Sequence, residues 1–207
     1  MIIIDISPLV TEASPVYPGD APLSLRFEKA PNVRVGTLTM SAHLGAHIDA
    51  PLHLNRAADV SEIDPARLIG DCQVIEVVTK SAIEPEDFPP IICSRVLIKS
   101  GFTMPETWTE NFAYLSAQAT SFLIDKGVTL IGIDTPSIDK AGDDKLQSHV
   151  LAIDAGLIIL ENLDLSKVCT GHYQLIALPL KIQGLDASPV RAVLIDTKEK
   201  IKNGESF

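Results

Sequence analysis

No run of lysine and arginine occurs anywhere in the 207 residues, whose formal net charge is -10. Nucleic-acid backbones and anionic membrane surfaces are thereby excluded as partners, because both are held by clustered cations. No apolar stretch approaches the roughly 20 residues that span a bilayer. The start, Met1-Ile2-Ile3-Ile4-Asp5, lacks the basic opening and long apolar core of a signal peptide. Cysteine is scarce: Cys72, Cys93 and Cys169 are odd in number, widely spaced and free of any C-x-x-C pairing. That excludes a disulfide framework and a thiolate zinc knuckle, and it points to a reducing, cytoplasmic setting. Repeats and low-complexity tracts are absent. The short joints at Pro89-Pro90 and around Pro105 bring no change of composition, so one domain is expected over 1–207.

What is present describes a folded, soluble chain: 46% apolar and 21% charged residues. Gln73–Val78, Val96–Lys99, Thr129–Ile133, Leu157–Leu160, Gln174–Leu180 and Val190–Ile195 read as short strands. Several are apolar on both faces and are therefore expected to be buried. Ser116 is a fitting N-cap for a helix over 117–126, with Gly127 closing it in the left-handed conformation. A second helix is expected over Lys145–Asp154, ending near Gly156. Strands mixed with helices place the chain in the α/β class as a single mixed-sheet domain.

The chemistry concentrates in Ser41-Ala42-His43-Leu44-Gly45-Ala46-His47-Ile48-Asp49-Ala50-Pro51-Leu52-His53, which holds three of the five histidines and a carboxylate. Neutral imidazole and carboxylate are the usual ligands of Zn²⁺, and of Mn²⁺ or Fe²⁺ where more oxygens join. On a straight strand His43 and His47 would stand roughly 13 Å apart, at about 3.3 Å per residue. Ligand bonds of about 2 Å forbid such a pair from sharing an ion, so the backbone must bend. Gly45 permits the bend and Pro51 prevents a continuing helix. A strand over Thr37–Ser41 running into a metal-cradling turn is expected. A lone histidine would ordinarily be a hydrogen-bonded structural residue; three with an aspartate, and no thiolate, favour a catalytic metal.

Two further residues stand out. His149 falls on the second helix, and Glu161 follows four apolar residues, where an unpaired charge is costly. Its partner is either a cation or Arg191. His172, in Thr170-Gly171-His172-Tyr173, reads as an exposed loop residue.

The pattern His43-x-Gly45-Ala46-His47-x-Asp49-x-Pro51-x-His53 resembles the signature of the cyclase-like metal hydrolases, and among them most closely the bacterial kynurenine formamidases (arylformamidases). The likeness continues through Asp5-Ile6-Ser7-Pro8, Tyr17-Pro18-Gly19-Asp20, Gly132-Ile133-Asp134-Thr135-Pro136-Ser137, Ala177-Leu178-Pro179-Leu180-Lys181 and 186–194. It implies a fold of the swivelling β/β/α kind and a homo-oligomer, a dimer or larger. It implies two Zn²⁺ per subunit, with Mn²⁺ as the substitute, held by His43, His47, Asp49, His149 and Glu161, Asp49 bridging. His53 would be the catalytic proton donor and acceptor. Tyr17 would line the substrate pocket, where the formamidases generally carry Trp; Ala46 stands where the wider superfamily often has Thr.

The activity so implied is hydrolysis of N-formyl-L-kynurenine, a small zwitterion of tryptophan degradation, to L-kynurenine and formate. A bound cation brings the pKa of water from 15.7 towards about 7, and His53 protonates the departing arylamine. No Gly-x-Ser-x-Gly elbow offers a serine nucleophile instead. The alternatives are opening of a cyclic amide such as isatin on the same site, and a non-catalytic metal-binding protein of this fold.

Overall fold

The computed structural model describes residues 1–196. Of the domain expected over 1–207, residues 197–207 lie outside the described residues. Along the described chain, β1 (Ile2–Asp5) precedes a hairpin of β2 (Ser24–Ala30) and β3 (Val33–Thr39). Then come β4 (His47–Asp49), β5 (Ile69–Glu76), β6 (Ala82–Ile83), β7 (Arg95–Lys99) and β8 (Tyr114–Leu115). α1 (Ala117–Asp125), β9 (Leu130–Ile133), α2 (Gln147–Asp154) and β10 (Ile158–Glu161) follow, and β11 (Gly171–Ile176), β12 (Ala187–Pro189) and β13 (Val193–Asp196) complete it.

Nine strands form one sheet in the order β1-β13-β11-β5-β7-β9-β10-β4-β12. The central four, β5, β7, β9 and β10, are mutually parallel, and antiparallel strands extend the sheet on both sides. Apolar residues of the central strands alternate between two cores, as period-two geometry requires. Leu97, Leu130 and Leu160 enter one, while Val96, Ile98, Ile131 and Ile159 enter the other. The first core also takes Leu194 from β13 and Ile48 from β4, near opposite ends of the sheet, so the sheet curls around it. α1 and α2 cover the other face through Ala119, Leu123, Ala152 and Ile153. The α/β class is borne out.

Local signals explain both ends of α1. The Ser116 side chain accepts a hydrogen bond from the Ala119 amide at 3.0 Å, and Gly127 closes α1 with φ +75°. Three expectations are corrected. The Thr37–Ser41 strand belongs instead to β3, which ends at Thr39 and is exposed along its whole length in the two-stranded hairpin. Its continuation turns away because Ser41 bonds back to Ala21 and Asp20. The Gln174–Leu180 strand ends at Ile176, and Pro179, which lacks an amide donor, makes only an isolated bridge to Val190. His172 is exposed as expected, but on β11 rather than in a loop.

Candidate metal centre

β4 is the spine of the site. It lies between β10 and β12, so its three residues are buried on both sides. The antiparallel register sets Glu161 of β10 opposite His47, and Ala187 of β12 opposite Asp49. The Ala50 amide donates to the Asp186 carbonyl at 2.8 Å, which carries Asp186 to the same place. Ahead of β4 the chain bends at Gly45, as expected, with φ +76°. A Cβ there would run into Val10 Cγ2, so glycine is needed for space as well as for conformation. The bend brings the His43 and His47 rings to 4.9 Å between centroids. His53 lies in a single 3-10 turn, Pro51–Leu54, with proline at its start. α2 delivers His149.

The side chains meet as follows. Asp49 Oδ1 is 3.1 Å from His43 Nδ1 and 3.5 Å from His47 Nε2, while Asp49 Oδ2 is 3.3 Å from His149 Nε2. Glu161 reaches His47 Nε2 with Oε2 at 3.3 Å and His149 Nε2 with Oε1 at 3.4 Å, and Oε1 also accepts from the Ile138 amide at 2.7 Å. All five residues predicted as ligands are thus brought together, with His53 beside them, its ring 4.5 Å from that of His43. Donor atoms of His43, Asp49 and His53, and separately of His47, Asp49 and Glu161, lie within 4.8 Å of one another. Arg191, the other partner considered for Glu161, binds Asp5 instead.

Electrostatics make this nest favour positive charge. Burial alone would lower the pKa of His43, but the carboxylates of Asp49 and Asp186 push it up to about 9. His149 is likewise raised against burial by Glu161, Asp139 and Asp49. Burial alone would raise Asp49, yet the imidazoles of His149 and His43 beside it hold it well below the ordinary carboxylate value.

Three polar residues around the nest are additional to the ligands and the His53 expected from the sequence. Asp139 accepts the Ser148 and His149 amides, capping α2 where Leu146 offers no side-chain cap, and its Oδ2 is 2.7 Å from His149 Nδ1. Asp186 Oδ2 lies 3.1 Å from His43 Nε2 and 3.4 Å from His53 Nδ1. Asp134 accepts from the amides of Ser100 and Gly101, tying the 100–101 loop to the site. His47 Nδ1 is engaged by the Gly45 carbonyl at 2.9 Å, which turns Nε2 inward.

The nest opens into a cavity of about 820 Å³ reached by His43, His53, His149 and Glu161. Tyr17 is on its wall, 53% exposed, with its ring edge-on to Trp108. Aromatic rings on the 102–112 segment complete that wall, a contribution sequence reasoning missed.

The residues fit a divalent cation. His47 Nε2 and both Asp49 oxygens are buried without a hydrogen-bond partner, and imidazole nitrogens with carboxylate oxygens are the donor set such ions take. The Cyclase family model, described as "Putative cyclase", matches residues 4–140. The chain belongs to this family. Kynurenine formamidase from Delftia acidovorans is 43% identical over 199 residues, covering 92% of this chain and 95% of that one. A solved structure described as a predicted metal-dependent hydrolase from Bacillus stearothermophilus matches with a TM-score of 0.82 at 28% identity, over 93% of this chain and 97% of that one. Isatin hydrolase A from Labrenzia aggregata shares the fold, with a TM-score of 0.77 at 22% identity over 93% of each chain. This member of the Cyclase family is a hydrolase with a metal-binding site, and its resemblance to the kynurenine formamidases is borne out.

Proposed function

We propose that the chain hydrolyses N-formyl-L-kynurenine to L-kynurenine and formate, using two divalent cations, Zn²⁺ in the first place and Mn²⁺ as substitute. The observation that carries this is the orientation of Asp49. One oxygen faces His43 and His47 while the other faces His149, the arrangement a bridging carboxylate requires. His43 and His47 would hold one ion with Asp49; His149 and Glu161 would hold the other. Bound there, the cations supply Lewis acidity that acidifies water and polarises the formyl carbonyl.

The chain's own groups do the rest. Asp186 engages His53 at Nδ1, leaving Nε2 to face the cavity. His53 takes the proton of the attacking water and returns it from Nε2 to the aryl nitrogen as the C–N bond breaks, because an arylamine leaves poorly as an anion. Asp139 and the Gly45 carbonyl fix His149 and His47 with Nε2 inward. Tyr17 presents an aromatic face to the substrate ring.

Two broader assignments accompany this reading. The β2–β3 hairpin leaves Leu25, Phe27, Val33, Val35 and Leu38 exposed, and an isolated hairpin is marginal in water, which supports burial of the hairpin in a homodimer or larger assembly. Three unpaired cysteines support a cytoplasmic location. Isatin opening is not favoured, since likeness to an isatin hydrolase at 22% identity bears on the fold alone. One zinc-loaded preparation assayed with both compounds tests the choice. Turnover of N-formylkynurenine far above that of isatin is expected, and isatin opening without formamide hydrolysis would overturn the reading.

A further inference from the structure

Among the described residues, Lys140 is the only lysine or arginine on the wall of the cavity that reaches His53 and Glu161, and acidic residues such as Asp143, Asp144 and Asp164 share that wall. Lys140 directly follows Asp139, whose carboxylate is 2.7 Å from the His149 ring nitrogen. It opens a turn in which the Asp143 amide donates to the Lys140 carbonyl at 3.1 Å. Lys140 is exposed, and among the described residues its ammonium has no hydrogen bond or ion pair. The flanking acids are engaged elsewhere, Asp139 with His149 and Asp143 with the Lys145 amide at 3.0 Å. Arg56, Lys99 and Arg191, by contrast, are each paired with a carboxylate.

An unpaired ammonium on a flexible four-carbon stem is free to swing across the cavity beside it. The substrate of the proposed reaction ends, away from its formamide, in an α-ammonium and an α-carboxylate. The α-ammonium meets acids on this wall. The α-carboxylate meets a single complementary side chain. We infer that Lys140 is the substrate-recognition residue for the α-carboxylate. This inference rests on the formamidase reading, and it gives the substrate a direction. A carboxylate is itself a ligand for divalent cations, so a free α-carboxylate competes with the formamide for the metal centre. Lys140, outside the ligand set, offers it another partner and leaves the formamide to face His53.

The test compares N-formylkynurenine with its decarboxylated analogue, in which hydrogen replaces the α-carboxylate while ring, formamide, ketone and amine remain. Both are assayed on the zinc-loaded wild-type enzyme, Lys140→Gln and Lys140→Arg. The replacements fall on an exposed, unpaired residue, so folding is not at stake. Lys140→Gln is expected to raise KM for N-formylkynurenine about fivefold with kcat little changed, the upper range for an exposed ion pair. Inhibition by the product L-kynurenine, which keeps the carboxylate, should weaken by the same factor. Kinetics on the analogue are expected to be unaltered, and Lys140→Arg, which retains the charge, should stay near wild type. An equal rise in KM on the analogue, no rise on N-formylkynurenine, or a Lys140→Arg protein as weak as Lys140→Gln would overturn the contact and leave the formamidase reading standing. Wild-type enzyme that leaves N-formylkynurenine intact would overturn that reading and this contact with it.

Discussion

Asp139 and His149 meet at 2.7 Å, Oδ2 to Nδ1, with both side chains almost wholly shielded from solvent. The same carboxylate accepts the amides of Ser148 and His149, so it fixes the imidazole's backbone and its ring together. Asp139→Asn removes the charge and leaves the volume. A fall of about 10–100-fold in cation affinity is expected, the usual effect of losing an outer partner of a ligating histidine. Chelator competition measures it, and unchanged affinity would deny His149 a place among the ligands.

His53 is expected to act on the proton and to contribute little to holding the ion. His53→Asn should lower kcat by about 10²–10⁴-fold, with metal content and KM near wild type. Loss of metal in this variant, read by elemental analysis, would instead make His53 a ligand. That is the reading its closeness to His43 and Asp49 leaves open.

At Gly45 a side chain would have to adopt φ +76° and displace Val10 Cγ2. Gly45→Ala should therefore cost about 1–3 kcal/mol of stability in urea denaturation, with weaker cation binding because the bend sets the spacing of His43 and His47. A variant of wild-type stability would show that the turn is not constrained.

The raised pKa of His43 makes a prediction for the metal-free protein. Burial opposes the shift, and Asp49 and Asp186 drive the value from 6.5 to about 9. A histidine raised on folding stabilises the protein fully below its unfolded value, and that stability is lost as pH rises through the folded one. The chelated protein should therefore lose melting temperature between pH 6.5 and 9. Loaded with zinc it should not, because the cation replaces the proton, and zinc affinity should climb over the same window. Identical pH profiles with and without zinc would refute this.

Much of the site was legible because His43, His47, Asp49 and His53 are close neighbours in sequence, and the bend at Gly45 follows from their spacing alone. The central strands were equally readable, being apolar on both faces. Glu161 was flagged by the cost of an unpaired charge after an apolar run, with a cation or Arg191 as its partner, but its place opposite His47 was not. The β10–β4 register sets it against His47, and no local pattern encodes that pairing. Asp139, Asp186 and Trp108 went unread for the same reason: each reaches the site through a turn or a distant strand pairing. The exposed β2–β3 hairpin also escaped notice, since its alternating apolar residues look like those of a half-buried strand.

Hydrolysis is proposed to depend on a cation held by His43, His47, Asp49, His149 and Glu161. Kynurenine release from N-formylkynurenine, followed by absorbance on metal-stripped protein before and after adding Zn²⁺, tests it most directly. No release without metal and full recovery with it are expected, and no recovery in Asp49→Asn. Full activity in protein shown to be free of metal would contradict it.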